Sequence, residues 1–317
     1  MKTVSLFVLT LAIAALISMS PAKTFSHAQP AGQGKVDELL KKGDDLYKAG
    51  KFKEAIDAYK EVLAQDANND RAIAYIAFSY YRLHDNEQAR QWMKRRVEIP
   101  GLSPSTKNQV LTDMTLLYWD DAHLRIATRL AAGTKTLTSE ETVAVKKLLT
   151  EGIDSAQKAV TIAPRSVKGF NLLNLLYRAS AAIEGDGTAR TDLLSKADAA
   201  LRKSVEIFEA NPQQQTSDLW TVPTISTVNG NDLGQAVHLG AATKKTSADG
   251  LKDAKEGEAV VEVVVGRDGK VRLPRALSGQ GKLSEAAVSA ARQWEFEPST
   301  FEGHAVQVIE TISFPAK

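Results

Sequence analysis

The side chains able to do chemistry are scattered along this sequence. His84, His123, His238 and His304 stand far apart, and none falls in a metal-ligating spacing such as His-Glu-x-x-His. Three of the four lie in helical or loop contexts, where a solvated or locally hydrogen-bonded imidazole is expected. Asp120-Asp121 and Glu140-Glu141 are carboxylate pairs of the kind general acid–base catalysis uses, yet neighbours on a helix point apart, so solvated surface is expected. Gly279-Gln280-Gly281-Lys282 has the glycines and lysine of a phosphate loop. It fails as one, because Leu283 stands where magnesium needs Ser or Thr and position 276 is not Gly. The absence of cysteine excludes disulfides, thiolate metal sites and cysteine nucleophiles. No catalytic constellation forms, so a non-enzymatic protein without metal or cofactor is expected.

Binding is then the destination, and composition allows it. At 317 residues and 43% hydrophobic content the chain can bury the cores of two domains or so. The net charge of +2 is nearly neutral, and acidic and basic residues balance over 255–317, which argues against a nucleic-acid partner.

The last sixty residues or so carry the clearest pattern. A Val-rich run from Glu258 to Val265 meets Gly266-Arg267-Asp268-Gly269, whose Asp-Gly pair tolerates positive φ, and an extended run follows from Lys270 to Leu277. That predicts a β-hairpin. Ser284 is placed to cap a helix with Leu283, Ala287, Ala290 or Ala291 and Trp294 on its apolar face, and Leu283 and Val288 are spaced as a hydrophobic staple. Pro298 is expected to end the helix, and Ala305 to Phe314 to form a last strand. Three strands and one covering helix are about the minimum that holds a small sheet together.

The Asp268-Gly269 turn, Ser278-Gly279, Leu283-Ser284-Glu285-Ala286-Ala287, Trp294-Glu295-Phe296-Glu297-Pro298, Gly303 and the pair Val306 and Val308 together resemble the C-terminal domain of TonB proteins, over residues 257–317. The resemblance implies a periplasmic domain that grips a short peptide on outer-membrane transporters, with outer-membrane receptors and inner-membrane motor proteins as partners. Two departures stand out: no Tyr-Pro pair precedes the first strand, and no long Pro-Lys or Pro-Glu spacer is present. The fold inference does not need either, but the reach across the periplasm does.

Between residues 36 and 212 the sequence repeats. Leu39, Gly43, Leu46, Ala55 and Tyr59 recur about 34 residues later as Ile73, Ala77, Tyr80, Ala89 and Met93. The segment KAGKFKEAIDAYKEVLAQDANN resembles a tetratricopeptide repeat, with Gly50 in the turn; Arg96 departs from the small residue expected at its position. The spacing of Ala55, Tyr59, Val62 and Ala67 returns in Gly152, Ala156, Ala159 and Pro164, and again in Ala200, Ser204, Ile207 and Pro212. Four helix pairs are predicted, with extra residues near 104–138 and 184–192. The fold class is therefore α+β: an all-α helical solenoid followed by a small β-β-α-β domain.

Outside these regions, residues 1–28 hold Lys2 and an apolar run from Val4 to Met19, followed by Ser26-His27-Ala28. The run is short for a bilayer, about 24 Å as a helix against about 30 Å of hydrocarbon. It is either a cleaved signal peptide or a retained inner-membrane anchor, and both place the protein in the periplasm. In the second case this segment would be the protein's contact with the membrane. Residues 213–256 read as a linker with short strands, including a hairpin around Asn229-Gly230.

Two binding surfaces are predicted. The first is a strip on the concave face of the second repeat, Arg71, Tyr75, Phe78, Tyr81 and Arg82, suited to a peptide; the alternative is packing against the neighbouring repeat. The second is the last strand, taken as a sheet edge that accepts an extended peptide. There Val306, Val308, Ile312 and Phe314 should face the helix and Gln307, Ile309 and Thr311 should face outward, while Glu310 falls on the buried side without an obvious reason. The alternative is an edge closed by a dimer or by the linker.

Overall fold

Small and apolar residues at helical spacing over the first two-thirds of the chain produce helices in pairs. A computed structural model describes residues 33–134, 136–185, 187–211, 219–227, 237–247, 258–279 and 281–315. The apolar amino-terminal run and the hairpin expected around Asn229-Gly230 lie outside the described residues, among which no helix is long and apolar enough to cross a membrane. The chain divides into two compact units between Leu117 and Tyr118.

The first unit holds α1 (Gln33–Lys48), α2 (Phe52–Leu63), α3 (Asp70–Arg82), α4 (Asn86–Val97) and the start of α5 (Pro104–Ala131). Asn69 and Asp85 cap α3 and α4 by accepting the backbone N–H of Ala72 and Gln88. Gly50 takes the positive φ of the turn between α1 and α2. A Cβ on Gly43 would lie 2.6 Å from the Tyr59 ring, so the small residue lets α1 and α2 approach. Arg96, the departure from the repeat pattern, reaches back to Asp70 with bonds of 2.6 and 2.9 Å, a pairing a small residue could not make.

The second unit contains the rest of α5, α6 (Ser139–Ile162), α7 (Val167–Ile183) and α8 (Thr188–Glu209). Of the four helix pairs expected, α1 with α2, α3 with α4 and α7 with α8 pack closely, α6 packs on α7, and the extra residues lengthen α5, α6 and α8. Glu141 is not idle surface: it completes a capping box with Thr138 and is gripped by Arg129, which holds its carboxyl below the usual range.

A single 3-10 turn (Leu219–Thr221) follows, then β1 (Thr224–Ser226), β2 (Val237–His238), β3 (Ala242–Lys244), β4 (Glu258–Val265), β5 (Val271–Ala276), α9 (Lys282–Ala291), β6 (Glu295–Phe296), β7 (Thr300–Phe301), β8 (His304–Ala305) and β9 (Gln307–Pro315). The main sheet runs in the order β1-β9-β4-β5, antiparallel except for the parallel pair β1 with β9. Small ladders join β2 to β7 and β8, and β3 to β6.

One sheet face carries Ala259, Val261, Val263, Val265, Val308, Ile312 and Phe314. It shares a core with Leu283, Ala287, Ala290 and Ala291 of α9, as the alternation foretold. Two details differ at α9. Gly281, not Ser284, precedes the helix, and the Ser284 hydroxyl instead donates to the Gly281 carbonyl. The helix also ends at Ala291, well before Pro298. Phe296 N–H donates to Gly269 and Glu297 N–H to Ala241, which makes the Trp294–Pro298 segment extended.

Candidate peptide-docking edge

The last strand is not the outermost ribbon of the sheet. β4 pairs along one side of β9 from Pro315 to Val308, and on the other side β1 pairs Thr224, Ile225 and Ser226 with Gln307, Val308 and Ile309. The linker alternative is therefore realised over three residues. Gln307 and Ile309, expected outward, are buried at 3% exposure each, whereas Thr311 is exposed. The reason is that this small sheet is covered on both faces: the side opposite α9 carries Glu262 and Arg275, which meet side chains of α5.

β1 is held by side chains of α7. Asn171 donates to the carbonyls of Trp220 and Val222 at 2.9 and 2.5 Å and accepts from Thr224 N–H and the Ser204 hydroxyl. Asn174 donates to the Thr224 carbonyl at 2.7 Å, and Gln307 Nε2 donates to the Thr224 hydroxyl at 3.1 Å. Asn171, Asn174 and Thr224 are fully buried, so these bonds satisfy groups that water cannot reach. That closes the outer side of β1.

The opposite edge is blunted differently. In β5 Leu273 has a φ of 45° and Pro274 follows it, and the pairing with β4 shifts register between Glu262 and Val264. A bulge and a proline spoil a strand as a template.

What stays open is the second half of β9. Gln307 N–H donates to Pro223 and the Ile309 carbonyl accepts from Thr227 N–H, so odd-numbered residues aim their backbone away from β4. By the two-residue period, Thr311 and Ser313 present one N–H and one C=O each to the same outer side. Among the described residues no strand pairs with that side of Glu310–Pro315. Thr311 and Ser313 are exposed, and Pro315 ends the ladder because it has no N–H.

Glu310 stands at the start of this open stretch. It pairs with Val263 on the face covered by α9 and is half-buried. Its Oε1 lies out of contact with water and has no hydrogen-bond partner among the described residues. Burial pushes its carboxyl up to about 7. Among the described residues no lysine or arginine pairs with it.

The strip in the first unit is knitted into the neighbouring repeat. Tyr75 stacks on Tyr59 with centroids 5.4 Å apart and meets the edges of Tyr47 and Phe78 at 5.1 and 6.1 Å. Arg71 pairs with Asp44, whose other oxygen accepts from the Tyr59 hydroxyl at 2.8 Å. The Arg82 guanidinium sits 4.7 Å above the Phe52 ring. Tyr75, Phe78 and Tyr81 are half-buried and Arg71 and Arg82 exposed, so packing against the adjacent repeat claims much of this strip.

Sequence reasoning missed one buried charge cluster. His123, fully buried and not solvated, lies 2.6 Å through Nε2 from Glu262 Oε2. Arg275 donates to Glu262 Oε1 at 2.5 and 3.0 Å and to Asp120 at 3.2 Å. Burial would raise the Glu262 carboxyl, but His123 and Arg275 together hold it at about 2. Trp119 stacks on His123 at 4.5 Å. Nothing within a few residues of His123 or Asp120 hinted at partners so far along the chain. The arrangement pins α5 to the sheet. Among the described residues no group of His, Asp or Glu could hold a metal ion.

Residues 249–315 match the family described as Gram-negative bacterial TonB protein C-terminal, and residues 46–99 match the Tetratricopeptide repeat family. Among curated proteins no relative matches the chain. Among solved structures, a MamA RS-1 double mutant overlaps at 12% identity and a TM-score of 0.40, covering 63% of this chain and 86% of that one. A second MamA structure overlaps at 18% identity and a TM-score of 0.27, covering 57% and 96%. The TPR2AB domain of yeast Sti1 in complex with pHSP90 overlaps at 15% identity and 0.28, covering 60% and 89%. Overlaps this loose say nothing of function. The two family matches support a role in protein interaction, and the resemblance of a tetratricopeptide array followed by a TonB C-terminal domain holds on both segments.

Proposed function

We propose that this is an exported, periplasmic, non-enzymatic protein that binds an extended peptide of a partner along Thr311 and Ser313 of β9, in energy transduction to outer-membrane TonB-dependent transporters. The observation that carries the reading is the second half of β9, whose outer backbone groups no strand among the described residues pairs, in a segment that matches the TonB C-terminal family. The tetratricopeptide helices add a second protein-interaction surface. Photo-crosslinkers placed at Thr311 and at Ser313 of the full chain should capture the amino-terminal peptide of an outer-membrane receptor, with a crosslinker at the buried Ile309 as control. Capture at Ile309 but not at Thr311 or Ser313 defeats the proposal.

A second reading is an envelope scaffold that uses the TonB-like fold for docking alone. The shortened edge and the missing Pro-rich spacer favour it. Mass spectrometry of the mature amino terminus separates the two, since a chain cleaved after Ala28 cannot transmit force from the inner membrane.

A further inference from the structure

Glu310 is the one ionisable side chain of β9, and it lies on the face that α9 covers. The fully buried Val263 stands across from it on β4. On the other flank the parallel register of β1 carries Thr227 to the position opposite, where its N–H and hydroxyl both donate to the Ile309 carbonyl. Neither neighbour gives the carboxyl a donor, and its Oε1 is cut off from water without a hydrogen-bond partner. The charged groups nearby do not compensate it. β1 has none, Glu258 of β4 is exposed at the far end of the ladder, and Glu262 is bonded to His123 and Arg275 on the opposite face. Lys282, Glu285 and Arg292, in and beside α9, are exposed. Burial alone pushes the Glu310 carboxyl up, to about 7.

With β4 on one flank and α9 over the face, water approaches this half-buried side chain from the outer flank of β9, next to the open groups of Thr311 and Ser313. Resting on the docking proposed above, we infer that peptide capture on this edge takes up a proton at Glu310, so that binding tightens as the medium turns acidic. An added strand extends the sheet beyond Thr227, along Thr311 to Ser313. Its residue opposite Ile312 directs a side chain to the α9 face, diagonal to Glu310 at ~7 to 8 Å between Cα atoms. An apolar side chain there displaces water from the carboxyl and brings no donor in exchange. Desolvation penalises the charged form only, so the neutral form binds the peptide better. A preference for the protonated form is affinity gained as pH falls through the range in which Glu310 titrates. The side chains of Thr311 and Ser313 do not ionise in this range, so they add no pH dependence of their own.

The experiment titrates the full chain with the peptide acetyl-Thr-Val-Thr-Val-Thr-amide, which has no ionisable group, and follows the methyl signal of Thr311 at pH 6 and pH 8. A gain of about tenfold in proton affinity, at a carboxyl that titrates at about 7 in the free chain, makes binding about fivefold tighter at pH 6 than at pH 8. In Glu310→Gln, checked to be folded by its thermal transition, the affinity should be equal at the two pH values. The carboxyl carbon of Glu310 gives a second reading without mutation: its titration midpoint should rise when the peptide is saturating. If the wild type binds equally at both pH values, if that midpoint does not rise, or if Glu310→Gln keeps the pH dependence, as it would were His304 the titrating group, the inference falls and the docking edge stands. If the peptide leaves the Thr311 methyl signal unshifted, both fall.

Discussion

His123 Nε2 and Glu262 Oε2 lie 2.6 Å apart although 139 residues separate them in sequence. The bond joins the second half of α5 to β4, so the β module is built onto that half of the helix within one compact unit. A tether between independent domains would have no use for such a buried pair.

Replacing Glu262 with Gln should therefore destabilise the second unit by roughly 3 to 5 kcal/mol at neutral pH, because His123, Arg275 and Asp120 lose the group that binds them together. The carboxyl is held down to about 2 in the fold against an ordinary 4.5. A depressed carboxylate stabilises fully above pH 4.5 and loses that contribution as pH falls toward 2. Acid unfolding of the wild type should steepen in this window, and the Gln variant should lack that part of the transition, as read by circular dichroism.

Glu310 has the opposite sign. Its carboxyl rises from 4.5 to about 7, so its charge opposes folding above pH 7 and the penalty disappears below pH 4.5. Glu310→Gln should stabilise the chain by up to roughly 3 kcal/mol at pH 8 and have little effect at pH 4. Urea titrations at the two pH values measure the difference.

Proline scanning tests the edge. Thr311 directs its N–H outward, so Thr311→Pro should change stability by about 1 kcal/mol or less while abolishing peptide docking. Ile312 directs its N–H toward β4, and Ile312→Pro should cost about 3 kcal/mol or more. Thermal melts and the peptide titration together separate the two effects.

Asn171 and Asn174 hold the strand that closes the rest of the edge. Replacing both with Ala leaves buried carbonyls of Trp220, Val222 and Thr224 short of donors, at about 1 to 3 kcal/mol each. Hydrogen exchange of the Gln307 amide, which donates to Pro223, should accelerate, while that of Val308, aimed at β4, should remain slow.

Packing of the first repeat gives a local check. Gly43→Ala would place a methyl 2.6 Å from the buried Tyr59 ring, and a loss of about 1 to 3 kcal/mol is expected from a thermal melt.

Much of the architecture was legible because it is periodic. Gly43, Tyr59, Ala77 and Met93 repeat at a spacing only paired helices need, and β4 runs over the residues its valines announced, Glu258–Val265. The same arithmetic located extra residues in the later pairs but not that they lengthen the helices. Ser284 misled because a serine one turn inside a helix can satisfy a carbonyl as well as cap an end. Gln307 and Ile309 misled because alternation tells which residues share a face and not what covers it.

By itself the sequence determined the elements and their class: helical repeats up to residue 212, then a TonB-type β-β-α-β segment with a Val-rich hairpin, since periodicity and turn chemistry act over a few residues. Only the tertiary structure decided that β1 occupies the first third of the last strand, that His123 and Asp120 meet Glu262 and Arg275, and that no strand among the described residues covers the far end of β9. Those outcomes depend on which distant surfaces exclude water from one another, and no local pattern records that.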